Sequence, residues 1–261
     1  MKKINSVTNP IIKAAVRLRK AGERQERGLI MIDGAREIEL AVRSGCQLET
    51  LFYCPDLASV AIGKLFGVAE GKIIELTAEV FSKICYKENP DGFLAIAPRP
   101  THALADIKLS QKPLVIILER VEKPGNLGAI LRTAYAAQVD AVIINDSQTD
   151  IYNPNVIRAS EGYVFSEPTV SASFAATIGW LKKNKIKISG AATGGHKLYT
   201  AADWRGPVAI VLGSEADGLS PAWLAAADEL VRIPMASGMD SLNVSVAAAI
   251  IAFEAVRQRN S

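Results

Sequence analysis

Cysteine is scarce in this chain: three residues in 261, Cys46, Cys54 and Cys85, none of them in a CxxC pair. Histidine is scarcer, with only His102 and His196. A structural zinc site needs four closely spaced ligands of these types, so none is expected, and reduced thiols in a cytoplasmic setting are the simple reading. Long apolar runs are missing too, which excludes a membrane-spanning helix. The opening MKKINSVTNP has two lysines with no apolar stretch behind them and does not read as a signal peptide. Neither GxGxxG nor GxxxxGK[ST] occurs, so the dinucleotide and P-loop fingerprints do not apply.

What is present is 49% hydrophobic and 22% charged residues with no long polar low-complexity tract, the composition of a packed globular protein of one large or two ordinary domains. The net charge is only +3 but unevenly placed. Residues 1–27 carry eight lysines and arginines against two glutamates, a surplus of six that leaves the remainder at minus three. A basic leading segment containing Lys13, Arg17, Arg19 and Lys20 suggests contact with a polyanion; the alternative is a solvated surface helix.

The periodicity alternates between short apolar runs and amphipathic stretches. NPIIKAAVRLRKAGER predicts a helix that Asn9 caps and Gly22 ends. GLIMIDG, LETLFYC, KIIEL and DGFLAIAP read as strands. AREIELAVRSG, PDLASVAIGKLFGVAEG and TAEVFSKICY read as the helices among them, the last capped by Thr77. Three prolines between residues 98 and 113 mark a linker. The expected organisation is an α/β domain over 1–100, a linker over 101–112 and a second α/β domain over 113–261. In that second part LVIILE, VDAVIIN, IKISGAA, PVAIVLG and LVRIP are apolar enough for a parallel sheet covered on both faces. SASFAATIGWLKKNK and the final NVSVAAAIIAFEAVRQR read as helices.

Ligands of such sheets gather where strands end. GNLGAILRTA follows the first strand of the second part. Asn126 could cap its helix, the amino end of which favours an anion, and the fork of Arg132 could grip a phosphate oxygen. VLGSEADGLS carries Gly213 and Glu215 at another strand end, and IPMASGMDSLNVSVAAAI carries Ser241 and Asn243 at the entry to the last helix. YNPNVIRASEGYVF adds Arg158 and Ser160 beside Gly162. Taken one at a time, each also reads as an ordinary capped helix or turn.

Together, GNLGAILRTA, LGSEADGLS and IPMASGMDSLNVSVAAAI closely resemble the three signature motifs of the SpoU family of RNA methyltransferases. YNPNVIRASEG resembles the segment between the first and second, and GLIMIDGAREIELAV resembles the RNA-binding substrate domain that many members carry. The resemblance implies a carboxyl-terminal parallel-sheet α/β domain with a deep trefoil knot, preceded by a small α/β substrate domain. It implies methyl transfer from S-adenosylmethionine to a ribose 2′-hydroxyl in RNA by a homodimer without a metal, in the cytoplasm. The RNA expected is ribosomal; transfer RNA, or a non-catalytic RNA-binding protein on the same fold, are the alternatives. A nucleotide-dependent metabolic enzyme is a rival that the absent glycine fingerprints weigh against.

Residue by residue, the resemblance places the cofactor against Gly213, Ile233 and Leu242, with Thr193 and Gly195 as neighbours. Arg132 falls beside the reacting hydroxyl and its phosphate, and Asn126, Glu215, Ser241 and Asn243 complete the pocket. Because arginine stays charged, Arg132 is expected to position the phosphate and steady developing negative charge rather than act as a base. Lys13, Arg17, Arg19, Lys20 and Arg158 are the expected RNA contacts. Tyr163, where the family usually has a small residue, and Asp240 are departures without an assigned role.

Overall fold

The computed structural model describes residues 1–58, 66–146, 149–166 and 168–261. It resolves into two compact units, one formed by Met1–Pro100 with Asp150–Ser166 and the other by Thr101–Thr149 with Glu167–Ser261.

The first unit begins with β1 (Lys2–Ile4), α1 (Pro10–Arg17), α2 (Ala21–Arg27), β2 (Leu29–Asp33) and α3 (Ala35–Arg43). It continues through β3 (Thr50–Tyr53), β4 (Ile73–Leu76), α4 (Ala78–Ile84) and β5 (Phe93–Pro98). Among its described residues, five strands lie in the order β1-β4-β3-β5-β2. β1, β4 and β3 run parallel, and β5 is antiparallel to both of its neighbours. Ile12, Ala15 and Leu18 from the first helical stretch and Val80, Phe81 and Ile84 from α4 are buried in the cluster that also holds Met31, Phe52 and Leu94. Of PDLASVAIGKLFGVAEG, expected as a helix, residues 59–65 lie outside the described residues. In the rest, 55–58 and 66–69 are turn and irregular backbone and Glu70–Lys72 forms a single 3-10 turn, so the expected helix is not found there.

The sequence pattern predicts one leading helix ending at Gly22, but the structure has two. Asn9 does cap α1, its side chain accepting from the Ile11 amide at 2.9 Å. The helix then stops because Arg24 turns its guanidinium back onto the free carbonyls of Leu18 and Arg19, both at 2.8 Å. Those oxygens would otherwise be orphans of a helix end. Gly22 falls inside α2, which ends at Gly28 in the left-handed region, φ 63.

Arg24 is thus no part of a solvated basic face. It is 1% exposed, and its fork grips Asp150 through Nε at 2.8 Å and a terminal nitrogen at 2.7 Å. Asp150 opens a segment that the sequence pattern assigns to the second domain. The structure gives residues 150–166 to the first unit, where α6 (Pro154–Ala159) packs against β2.

The second unit contains β6 (Leu114–Glu119), α5 (Pro124–Ala136), β7 (Ala141–Asn145), β8 (Thr169–Ala172), α7 (Phe174–Lys183) and β9 (Lys187–Ala191). It closes with β10 (Lys197–Leu198), β11 (Val208–Leu212), α8 (Pro221–Ala226), β12 (Glu229–Arg232) and α9 (Val244–Arg259). The strands form one sheet in the order β10-β12-β9-β11-β6-β7-β8, and every pairing is parallel. β6, β7 and β11 are buried along their whole length, as the apolar runs predict for a sheet covered on both faces. Each such Ile, Val or Leu contributes about 1.5–3 kcal/mol by leaving water.

The proline-rich stretch expected as a linker belongs to this unit: Leu104, Ile107 and Leu109 pack against its core. The small elements β1, β8, β10 and α6 have too few residues for a readable period, and the sequence pattern misses them.

Candidate functional site

A sheet with every strand parallel presents all its carboxyl ends along one edge. The loops after β12, β9, β11 and β6, four neighbouring strands, therefore converge there. Strand order also turns back between β11 and β6, the place where open α/β sheets form a crevice. A cavity of about 760 Å³ lies at that edge, within the range of about 300–1,000 Å³ typical of small-molecule sites. Its walls include Leu212, Leu219, Leu230, Ile233, Leu242 and Ile251.

Each loop has a local reason for its shape. After β11, Gly213 lets the chain fold back on itself: the Ser214 amide donates to the Gly218 carbonyl at 3.1 Å and the Gly218 amide returns the bond to Ser214 at 3.1 Å. A Cβ on Gly213 would stand 2.0 Å from the Gly218 carbonyl carbon, so no side chain fits there. Gly218 itself has φ 67. After β9, a Cβ on Gly195 would stand 2.6 Å from the Val231 carbonyl carbon. After β12, the loop ends at Asn243, whose side chain accepts from the Ser245 amide at 2.9 Å and so caps α9.

The rim is a chain of hydrogen bonds between three of these loops. The Asn126 side-chain amide donates to Glu215 Oε1 at 2.6 Å, and the Asn243 side-chain amide donates to Asn126 Oδ1 at 3.0 Å. The backbone amide of Glu122 donates to the other Glu215 oxygen at 3.4 Å. The expectation that Asn126 caps α5 is corrected here. The capping position is Lys123, with no side-chain bond, and Asn126 sits one turn inside, facing Glu215. Glu215, Asn126 and Asn243 lie far apart in the sequence, and only the parallel sheet unites them.

Of the residues named from the sequence, Thr193, Gly213, Glu215, Ile233, Ser241, Leu242 and Asn243 all line the cavity. Gly195 does not line it but backs onto Val231 beside it. Arg132 is exposed on α5 and is not among the lining residues. Lys123, Asp217, Met235 and Asp240 line the cavity without having been named for it. Only Lys123 carries a local signal, since it stands directly before the Pro124 that starts α5.

The basic residues separate. Lys13, Arg17 and Lys20 are exposed, as is Arg158 on α6. Arg19 is engaged internally. It donates to the carbonyls of Lys83 at 3.0 Å and Cys85 at 2.6 Å and lies 5.3 Å from the Tyr86 ring centre. Tyr163 lies under Arg36, 5.9 Å from the guanidinium carbon, and Arg36 also pairs with Glu161 at 2.6 Å. Among the described residues no three His, Cys, Asp or Glu side chains gather to hold a metal ion. No helix among them is long and apolar enough to cross a membrane.

Fold and site together define an α/β protein with a cavity of small-molecule size at the carboxyl edge of a parallel sheet, beside a hydrogen-bonded polar rim. Residues 113–253 match the model of the SpoU rRNA Methylase family, and the chain belongs to that family. Residues 9–95 match the MRM3-like substrate binding domain.

The 23S rRNA (guanosine(2553)-2′-O)-methyltransferase RlmP of Bacillus subtilis is 29% identical, covering 97% of this chain and 98% of its own. The 23S rRNA (uridine(2479)-2′-O)-methyltransferase of Streptomyces viridochromogenes is 31% identical, over 92% and 86%. Among solved structures, the AdoMet-bound rRNA methyltransferase of Sinorhizobium meliloti superposes with a TM-score of 0.90 at 30% identity, covering 98% of this chain and 97% of that one.

Proposed function

We propose that this protein transfers a methyl group from S-adenosylmethionine to a ribose 2′-hydroxyl of ribosomal RNA. The observation that carries the reading is the Glu215–Asn126–Asn243 hydrogen-bonded chain at the mouth of the cavity. Family membership and the names of the relatives support the substrate class. The two relatives are named for different nucleosides, a guanosine and a uridine.

The cavity suits the cofactor. Apolar walls from Leu212, Leu219 and Ile233 match an adenosyl group, and backbone groups at Gly213, Ile233 and Leu242, with Thr193 nearby, would hold it. Among the described residues that line the cavity, Glu215, Asp217 and Asp240 outnumber the cation Lys123, which favours a positively charged sulfonium. When bound, S-adenosylmethionine supplies an electrophilic methyl group. The chain's own part is to hold the ribose hydroxyl in line and to shed its proton as it reacts. Asn126, held between Glu215 and Asn243, presents a fixed polar rim for that hydroxyl, with Ser241 on the same loop as Asn243. Arg132 steadies the neighbouring phosphate as negative charge develops.

The reading includes a trefoil knot in the second unit. Its support is the course of the chain, which leaves the sheet at β11, adds β12 beyond β9 and returns as α9 against α5. It also includes a homodimer: Val246 and Phe253 on α9 and Tyr135 on α5 are large exposed side chains that a second copy would cover. The first unit serves as the RNA-binding domain, with Lys13, Arg17, Lys20 and Arg158 as its phosphate contacts, and the work is cytoplasmic.

The test is transfer of a labelled methyl group to ribosomal RNA fragments by the purified protein, with mapping of 2′-O-methyl positions in cells with and without the gene. No transfer and an unchanged methylation map would overturn the reading.

A further inference from the structure

The residue directly after β6 is unusual in both backbone and side chain. Arg120 has φ 53, a region that L side chains rarely adopt. Its Nε is buried with no hydrogen-bond partner. It forms two long ion pairs, with Glu119 Oε1 at 3.9 Å from Nε and Asp217 Oδ2 at 3.8 Å from a terminal nitrogen, both beyond hydrogen-bond length. Glu119 is already engaged, accepting from the Ser220 amide at 2.8 Å, and the Asp217 side chain is 72% exposed. Among the described residues Nε has no acceptor, and the planar fork of five donors is held only by these two long ion pairs, with 36% of the side chain exposed.

The backbone that aims it is fixed. The Arg120 amide donates to the Asn145 carbonyl at 3.0 Å, the Glu122 amide to Glu215 at 3.4 Å, and the Thr149 hydroxyl to the Glu122 carbonyl. Backbone strain together with an unmet donor, held rigidly at a ligand-binding edge, marks a group kept for a partner. The fork matches an anion with two oxygens. Arg120 is not among the residues lining the cavity, whereas Asp217 is. An anion reaching Arg120 therefore approaches from outside the cavity, past Asp217.

We infer that Arg120 binds a backbone phosphate of the RNA strand that carries the target ribose, the phosphate oxygens displacing Asp217. The inference rests on the methyl-transfer reading above and adds to it a positioning residue outside the family motifs quoted earlier.

The experiment uses the full chain and a ribosomal RNA fragment that it methylates. RNA affinity is measured over a potassium chloride series, donor affinity by calorimetry, and the thermal midpoint alongside. For R120Q the expected result is RNA affinity weakened about tenfold, with a log–log salt slope shallower by roughly 0.7, one phosphate contact to a single strand. Donor affinity is expected to be unchanged. R120G is expected to lose the same RNA affinity while its thermal midpoint holds or rises, since glycine adopts this backbone without strain.

An unchanged affinity, or an unchanged salt slope, in R120Q would overturn the proposal. So would weakened donor binding with RNA binding intact, which would put Arg120 in the cofactor site. A lower midpoint for R120G would remove the strain argument on which the assignment stands. Failure of the parent protein to methylate any fragment sinks the methyl-transfer reading itself and shows before a variant is made.

Discussion

The side-chain amide of Asn126 donates to the carboxylate of Glu215 across 2.6 Å, joining residues 89 positions apart at the mouth of the cavity. Asn243 completes the chain from a third loop. A carboxamide held on both sides cannot rotate, so its polar groups keep a fixed direction.

Asn126→Ala is therefore expected to lower the rate of methyl transfer about a hundredfold, the scale of losing one preorganised polar group at a reacting centre. Glu215→Gln keeps the shape but turns an acceptor-only group into one that also donates, and a loss of similar size is expected. Single-turnover kinetics with saturating donor check both. A rate within threefold of the parent's in either variant would remove the rim from the chemistry.

Arg132 stands apart from the cavity lining, exposed on α5. Arg132→Ala is expected to abolish methyl transfer while donor affinity stays within about twofold, because a charge that acts on phosphate contributes little to holding the cofactor. Calorimetric titration of the donor, paired with the transfer assay, separates the two effects. Loss of donor binding would show that the division of labour is wrong.

Gly213→Ala places a methyl group where the Gly218 carbonyl carbon already stands, at 2.0 Å. The obstacle is backbone and cannot swing aside, so the 214–218 turn must move. Overpacking of this kind costs about 1–3 kcal/mol. Donor affinity is expected to fall at least tenfold and the urea midpoint to drop; unaltered donor binding would mean that the turn does not shape the site.

The leading basic residues are expected to divide by their contacts. Arg17→Glu combined with Lys20→Glu should weaken RNA binding and flatten its salt dependence while leaving stability nearly unchanged, since both side chains are exposed. Arg19→Ala should act on stability instead, because it frees the carbonyls of Lys83 and Cys85. Filter binding over a salt series and thermal melts distinguish the outcomes, and an RNA effect confined to Arg19 would reverse the assignment.

Glu254 on α9 accepts from Arg257 at 2.7 and 2.8 Å and from Gln258 at 2.8 Å. The hydrogen bonds from Arg257 hold its carboxyl down, from 4.5 to about 2. A lowered folded-state value means that its contribution is complete above about 4.5 and is lost as pH falls toward 2. Glu254→Gln is expected to flatten the urea midpoint against pH over that window and to leave it nearly flat, relative to the parent, above pH 6. An equally steep acid limb in the variant would assign the acid sensitivity to other groups.

Caps and stops were legible wherever their cause is local. Asn9, Thr77 and Asn243 each bond an amide two or three residues on, and Gly45 takes φ 89 just past α3, so a few neighbouring letters suffice. The central strands β6, β7 and β11 were legible because burial on both faces demands unbroken apolar runs. Asn126 misled for the opposite reason. Its position before an apolar period suits a cap, but a carboxylate on another strand's loop binds it more favourably. Arg19 and Arg24 look alike in a basic stretch, yet one ties down the end of α4 and the other is buried against Asp150.

Sequence alone determined the alternation of strand and helix and the parallel sheet of the second unit, since each depends on periodicity carried in a short window. Tertiary structure decided which arginines are buried, that residues 150–166 belong with the first unit, and that Asn126 faces Glu215 instead of its own helix. Those outcomes depend on which groups distant in the chain come within hydrogen-bond reach once the backbone has closed, and no local window holds both partners.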